Sequence, residues 1–307
     1  MRRPLVFGHR GACAYRPENT LEAFDLAYSQ GVDAIECDIV PTKDGYLILR
    51  HENALGGTTD VASHPEFAPR KRAGVIDGVE LVDWFSEDFT LEEIRILRAR
   101  ERLEDWRPGS AAFDGQFGIP TLGELLASNF LNNRSVILEV KHGDYFKSIG
   151  IDVVSLVAEA VLAAETAARG IHVIFEAFEA EILSELRTRL ADELPAATEW
   201  VWLIDEDHLG GRYVSDELLS DAASQFTGMS FDVNLLLGKA PAFSSADFGS
   251  PTGVTERAHD AGLKVYTWTA RVEEANHSVE EYFHHFELTG ADGIFADHPD
   301  LLLNCVG

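Results

Sequence analysis

The chain has 307 residues, and 46% of them are hydrophobic. That length admits one large domain or two small ones, with a substantial core. A formal net charge of −27 argues against nucleic acid or an anionic membrane as partner, and no apolar run approaches the roughly 18–20 residues that a membrane span requires.

The elements alternate between β and α in chain order. A short apolar strand is expected at Leu5–Gly8. Its core, Leu5-Val6-Phe7, is too short for a signal-peptide apolar region. The expected location is therefore cytoplasmic, or secreted or periplasmic if a leader has been removed. A helix follows over Thr20–Gln30, with Asn19 or Thr20 as its cap and Gly31 just past its end. Further strands are expected at Ala34–Val40, Tyr46–Arg50, Ser135–Val140, His172–Phe175, Glu199–Ile204, Gly228–Asp232, Lys264–Trp268 and Gly293–Ala296. Helical segments fall between them at Thr121–Asn129, Asp152–Ala168, Glu179–Leu190, Ser215–Ala223, Thr252–Ala261 and Val279–Thr289. Thr121 with Glu124 has the spacing of a capping box. Residues 54–117 break the rhythm with Gly-Gly, prolines, Arg70-Lys71-Arg72 and one short helical stretch over Thr90–Arg100. Such long irregular stretches commonly serve function. On pattern alone, the strands fit a (β/α)8 barrel or a doubly wound sheet.

The chemistry-bearing residues concentrate near the start of the chain. The segment reads His9-Arg10-Gly11, Arg16-Pro17-Glu18-Asn19-Thr20, Glu36-Cys37-Asp38, Thr42-Lys43-Asp44-Gly45 and His51-Glu52. Imidazoles move protons near neutral pH. Two carboxylates two positions apart on a strand point the same way and can share one hard cation. A cation beside two proton carriers suits phosphate-ester chemistry. Taken singly, a histidine or a strand-end acid is ordinarily structural or solvated. The other nine histidines are read that way, and Cys37 is read as a buried thiol facing away from Glu36 and Asp38.

The ordered set resembles the glycerophosphodiester phosphodiesterase family, which opens on His-Arg-Gly, continues with Pro-Glu-Asn-Thr, and carries a Glu-x-Asp pair, Thr-Lys-Asp-Gly and a second His. The likeness continues at Gly118-Ile119-Pro120-Thr121-Leu122, Leu138-Glu139-Val140-Lys141, Thr267-Trp268-Thr269 and Gly290-Ala291-Asp292-Gly293-Ile294. It implies a (β/α)8 TIM barrel over residues 1–307, a single phosphodiesterase domain in which 54–117 is a cap-like insertion after the second strand.

The resemblance further implies hydrolysis of a small-molecule glycerophosphodiester to glycerol 3-phosphate and an alcohol. Glu36, Asp38 and Glu139 would bind one divalent cation, Mg²⁺ or Ca²⁺, and His9 and His51 would be acid and base. Arg10 and Lys141 would contact phosphate, and Trp268 would wall the glycerol pocket or sit in the core. Those polar candidates fall at strand ends, where TIM barrels place their active sites. Arg10, Lys141 and a cation would make a positive pocket in an acidic protein. Pro17–Thr20 reads mainly as a helix start, with Glu18 near the mouth as the alternative anchor for Arg10 or a substrate hydroxyl, and Phe178, Phe231 and Phe295 read as packing. Asp297 has no assigned role. The fourth strand departs from the family's Ser-Phe or Cys-Phe ending, reading Phe175-Glu176-Ala177-Phe178.

Two rival functions follow from the same pattern. A lipid-directed, sphingomyelinase D-like barrel would need exposed apolar loops, for which Trp84-Phe85 and Phe89 are the insertion's candidates. A catalytically silent phosphodiester-binding barrel would be expected to lack a histidine or an acid of the set. The pattern specifies neither the leaving alcohol nor the oligomeric state.

Overall fold

The computed structural model describes residues 3–239 and 248–306. Eight parallel strands close a barrel: β1 (Leu5–Gly8), β2 (Ala34–Pro41), β6 (Ser135–Val140), β7 (His172–Ala177), β8 (Glu199–Ile204), β9 (Gly228–Asp232), β10 (Lys264–Ala270) and β11 (Gly293–Ala296). Each strand pairs with the next, and β1 closes the ring by pairing with both β11 and β2. A short strand β3 (Leu47–Leu49) runs antiparallel on the end of β2, with Ile39 opposite Leu49. The doubly wound alternative is excluded, because it would leave two open edges.

Strand parity divides the core in two. Cys37, Leu138, Phe175 and Ile204 point outward into the main cluster between sheet and helices. The opposite parity points inward, where Phe7, Ala34, Ile137, Ile174, Val201, Tyr266 and Phe295 plug the barrel. Successive inward positions on one strand are two residues apart. One step beyond the plug toward the C-terminal end, the inward residues become His9, Glu36, Glu139, Glu176, Leu203, Trp268 and Asp297. The floor of the mouth is thus apolar and rigid, and the layer above it is polar.

The helices follow their caps. Thr20 accepts a hydrogen bond from the Ala23 N–H, and Gly31 ends the helix Leu21–Gln30 at φ 99°. Thr121 and Glu124 form the expected capping box before Leu122–Ala127. The helix expected over 152–168 stops at Ala163. Glu165 takes a positive φ of 49°, which a right-handed helix of L-residues does not accommodate. A final helix, Pro299–Val306, buries Leu302 and Val306 against the barrel and is absent from the sequence reading.

The insertion is more regular than its composition implies. Strands β4 (Arg72–Ile76) and β5 (Val79–Asp83) form a hairpin in which Ile76 faces Val79. Its turn is Asp77-Gly78, both at positive φ, the backbone of a type I′ turn. Leu55, Val61, Phe67, Trp84, Phe89, Ile94 and Leu97 build a second core that is shared with Val40, Ile48 and Phe146 of the barrel. The basic run is tied down within this unit. Arg70 pairs with Glu93, Arg72 pairs with Glu87 and Asp88, and Lys71 lies over the Trp84 ring. Trp84, Phe85 and Phe89 are buried, and of the insertion's two tryptophans only Trp106 is exposed. No helix among the described residues is long and apolar enough to cross a membrane.

Candidate active site

The barrel mouth encloses a cavity of about 350 Å³. Its lining includes His9, Arg10, Glu36, His51, Glu139, Lys141 and Trp268, and Asp38 is buried beside it. The eight residues singled out from sequence therefore lie together, although Glu139 is more than a hundred positions from Glu36.

The acidic wall comes from adjacent strands. Asp38 and Glu139 are register partners across β2 and β6. One carboxylate oxygen each from Glu36, Asp38 and Glu139 lies within 4.8 Å of the others. All three side chains are buried, and Glu36 Oε1 and Asp38 Oδ1 have no hydrogen-bond partner. Burial, then the neighbouring Asp38 and Glu139, push the Glu36 carboxyl well above its ordinary range. Burial likewise pushes Glu139 up to about 7, against the pull of Lys141. Asp38 alone is held low: burial opposes its ionisation, but His51, Arg10 and Lys141 together prevail. Crowded carboxylate oxygens of this kind suit a hard divalent cation, which would relieve their repulsion.

The first loop explains the opening motifs. Arg10 sits at φ 55° and donates its backbone N–H to Glu36 Oε2 at 2.7 Å. Its guanidinium reaches Glu18 at 3.3 Å and Asp38 at 3.4 Å. At Gly11 a Cβ would lie 2.6 Å from the Ala23 backbone, so only glycine fits there. Within Pro-Glu-Asn-Thr the work is divided. Thr20 caps the helix, and Asn19 donates to Asp38 Oδ2 at 2.8 Å while accepting the Asp38 N–H. Glu18 is an ion-pair hub for Arg10, Arg50 and Arg102 rather than a cap, which corrects its reading as part of the helix start.

Each imidazole is held through Nδ1 by a carboxylate. His9 Nδ1 lies 2.5 Å from Asp297 Oδ1, and His51 Nδ1 lies 2.5 Å from Glu52 Oε1. A carboxylate only accepts, so the neutral rings carry Nδ1–H and leave Nε2 as the basic atom. Lys141 Nζ stands 3.3 Å from His51 Nε2 and 2.6 Å from Glu139 Oε1. Burial, then Arg10, lowers His9 to about 4, opposed by Asp297. Burial, then Arg10 and Lys141, lowers His51 to about 3.

Several lining residues escape the sequence reading. Arg102 pairs with both Glu18 and Glu52. Arg107 and Arg271 both pair with Asp297. Asp297 carried a usable signal, since it stands two residues past the inward Phe295, as His9 stands two past Phe7. Glu52 is adjacent to His51. The arginines carried no such signal. Phe178 and Phe295 line the cavity rather than only packing, and Phe178 meets Trp268 edge to face at 5.7 Å. Trp268 lines the cavity and also touches the inner plug. Phe231 is core. Glu176 lies beside Glu139 in register, fully buried with Oε1 unpartnered. Arg10, Arg102, Arg107, Lys141 and Arg271 line the mouth together with Glu18, Glu36, Glu139, Glu176 and Asp297, so positive and negative groups are matched there in a chain that is acidic as a whole.

A (β/α)8 barrel whose mouth combines buried carboxylates, imidazoles and guanidinium groups is the scaffold of a hydrolase acting on an anionic ester. Residues 9–301 match the profile of the "Glycerophosphoryl diester phosphodiesterase family". A glycerophosphodiester phosphodiesterase of Arabidopsis thaliana is 28% identical, covering 98% of this chain and 86% of its own. A Bacillus subtilis protein described as a putative glycerophosphodiester phosphodiesterase is 25% identical over 97% and 96% of the two chains. Two solved structures share the fold. One, from Silicibacter pomeroyi, has a TM-score of 0.73 at 24% identity, covering 100% of this chain and 94% of its own. The other, an Oleispira antarctica phosphodiesterase in complex with its product sn-glycerol-3-phosphate, has a TM-score of 0.64 at 19% identity, covering 99% and 97%. The chain belongs to the glycerophosphoryl diester phosphodiesterase family, and is an enzyme of the phosphoric diester hydrolase class.

Proposed function

We propose that this enzyme hydrolyses glycerophosphodiesters to glycerol 3-phosphate and an alcohol, using one divalent cation, Mg²⁺ or Ca²⁺, and two histidines. One observation carries the reading. Two cavity-lining imidazoles, each braced by a carboxylate at Nδ1, stand at a 350 Å³ cavity beside three crowded carboxylates, two of which, Glu36 and Asp38, have an oxygen without a hydrogen-bond partner. Family membership and the product complex of the Oleispira relative support the choice of substrate.

Glu36, Asp38 and Glu139 would hold the cation. When bound, it supplies Lewis-acid polarisation of a phosphoryl oxygen. Arg10 and Lys141 supply fixed positive charge toward the phosphate, where negative charge grows during displacement. One imidazole takes a proton at Nε2 from the attacking oxygen, which belongs to water or to the adjacent glycerol hydroxyl. The other, entering the reaction as an imidazolium with a proton on Nε2 as well as on the carboxylate-bound Nδ1, gives its Nε2 proton to the departing alkoxide. The P–O bond to the alcohol breaks as the new P–O bond forms. If the glycerol hydroxyl attacks, water then opens the cyclic phosphate with the roles exchanged: the imidazole left neutral takes the water proton, and the one left protonated returns its proton to the glycerol oxygen. Trp268 walls the glycerol side, and residues 54–117 cap the mouth and shape the leaving-group pocket.

Phosphorus NMR on a panel of glycerophosphodiesters, with Mg²⁺, Ca²⁺ or chelator, tests this directly. Glycerol 3-phosphate should accumulate with cation and cease with chelator. Turnover that survives exhaustive chelation would remove the metal, and no turnover of any panel member would remove the substrate class. Trp84, Phe85 and Phe89, the side chains on which a lipid-directed reading rested, are buried, while Val75, Val79, Val82 and Trp106 of the insertion are exposed; intact bilayer lipids therefore belong on the same assay panel.

A further inference from the structure

The two bracing carboxylates, Glu52 and Asp297, lie far apart in sequence, yet both are held from one short turn of the insertion. Arg102 forks onto Glu52, with Nη1 to Oε1 at 2.9 Å and Nη2 to Oε2 at 2.9 Å. Its remaining face forks onto Glu18, with Nη2 to Oε1 at 2.7 Å and Nε to Oε2. Five residues on, Arg107 donates from Nη2 to Asp297 Oδ2 at 2.5 Å and from Nε to Glu273 Oε1 at 2.5 Å. The turn between them is internally bonded. The Arg107 N–H meets the Leu103 carbonyl at 2.8 Å, and the Leu103 N–H meets Glu101 Oε1 at 2.9 Å. The spacing of the two guanidinium groups is therefore set by a rigid local structure.

We infer that Arg102 and Arg107 are positioning residues through which the insertion orients both imidazoles at once. Arg102 acts through Glu52 on His51, and Arg107 acts through Asp297 on His9. The barrel alone supplies the histidines, and the insertion supplies what fixes their rotation and tautomer. A carboxylate braced on its far side by a guanidinium fork cannot swing, so the imidazole it accepts from is held with Nε2 toward the cavity. Both arginines line the cavity, but their donors are largely committed to protein partners, Arg102 to two carboxylates and Arg107 to Asp297, Glu273 and the Cys13 sulfur at 3.6 Å. That commitment argues for action through the histidines rather than on the phosphate. The two arms are unequal. Asp297 also accepts from Arg271 Nε at 3.1 Å, whereas Glu52 has Arg102 as its one guanidinium partner among the described residues.

The inference rests on the acid/base reading of His9 and His51, and its test has a readout that needs no turnover. Long-range proton–nitrogen correlation spectra of the full chain with Mg²⁺ report the tautomer of each imidazole, with His9→Gln and His51→Gln assigning the two signals. Wild type should show Nδ1–H at both rings. Arg102→Gln should shift the His51 signals and leave those of His9, and Arg107→Gln should do the reverse. In steady-state assays, Arg102→Gln should lose about 10–100-fold in kcat with KM little changed, the range found when a supporting partner of a site residue is removed. Arg107→Gln should lose less, and lysine at either position should recover part of the loss. Unmoved imidazole signals in folded variants, or a rise in KM at constant kcat, would overturn the inference in favour of direct phosphate contact. A wild-type tautomer without Nδ1–H at either ring would overturn it even if no glutamine variant folds. Spectra that respond as expected in a protein with no turnover would leave the positioning role standing and defeat the proposed reaction.

Discussion

The acidic wall and the imidazole pair occupy one cavity but are built on opposite electrostatic terms. On the wall, Glu36, Asp38 and Glu139 project from neighbouring strands, repel one another, and leave buried oxygens without partners. Around the imidazoles, Asp297 is met by His9, Arg107 and Arg271, and Glu52 by His51 and Arg102. The first region holds like charges close together, the arrangement a hard divalent cation takes as donors. In the second, each carboxylate is met by positive or donor groups. The two demands of the proposed reaction, gathering an ion and holding proton carriers, thus fall on strands and on loops respectively.

The largest expected effects fall on turnover. His9→Ala and His51→Ala should each reduce it by ~10²–10⁴-fold, the usual span for losing an acid or base, with the circular dichroism spectrum unchanged. Undiminished turnover in either variant would take that residue out of the mechanism.

Stability should then separate the two regions by sign. Asp297→Asn removes a charged acceptor from buried Arg107, which keeps Glu273, and from part-exposed Arg271, which keeps Glu274, and should lower unfolding stability by about 1–3 kcal/mol. Glu36→Gln, measured with chelator present, should raise it by on the order of 1–2 kcal/mol, because Glu36 in the fold resists the ionisation it has when unfolded. Denaturant titrations of both variants check this, and equal signs would erase the contrast.

Acid should weaken the imidazole region. His9 titrates near its ordinary 6.5 when unfolded and is lowered to about 4 when folded. Between those values the unfolded chain binds the additional proton, so stability present above pH 6.5 is lost as the pH falls toward 4, by on the order of 3 kcal/mol. Asp297, also lowered in the fold, adds a loss only below its ordinary value of 3.8. His51, lowered to about 3, adds a loss of the same sign, and Glu139, raised to about 7, offsets part of both. Calorimetric melting across this range should therefore show His9→Gln less sensitive to acid than wild type, by the share that His9 contributes. The smallest effect expected is Thr20→Ala, about 1 kcal/mol from the lost cap, with the cation site intact.

Legibility from sequence follows the same division. β1, β6, β8, β9 and β11 begin and end where their apolar runs do, because both faces of a barrel strand are buried and turn residues bound them. Glu36 and Asp38 were legible as a same-facing pair because strand parity fixes their direction, whereas Glu139 was picked out through the family resemblance. The braces were less so. Asp297 meets His9 only when the barrel closes and brings β11 beside β1, 288 positions apart, although its place two residues past the inward Phe295 could be read, and Glu52 is simply the neighbour of His51. Arg102 and Arg107 come from a segment whose composition reads as loop, and nothing local points them at the mouth. The Asp77-Gly78 turn shows the converse: Asp-Gly between Val75-Ile76 and Val79, Leu81 and Val82 is a hairpin signal that the reading of 54–117 as irregular passed over.

Isothermal titration of the chelator-stripped protein with Mg²⁺ and with Ca²⁺ bears most directly on the wall of carboxylates. The account predicts one cation per chain, lost in Glu36→Ala and kept in His51→Ala. Binding undiminished in Glu36→Ala, or absent from the wild type, would contradict it.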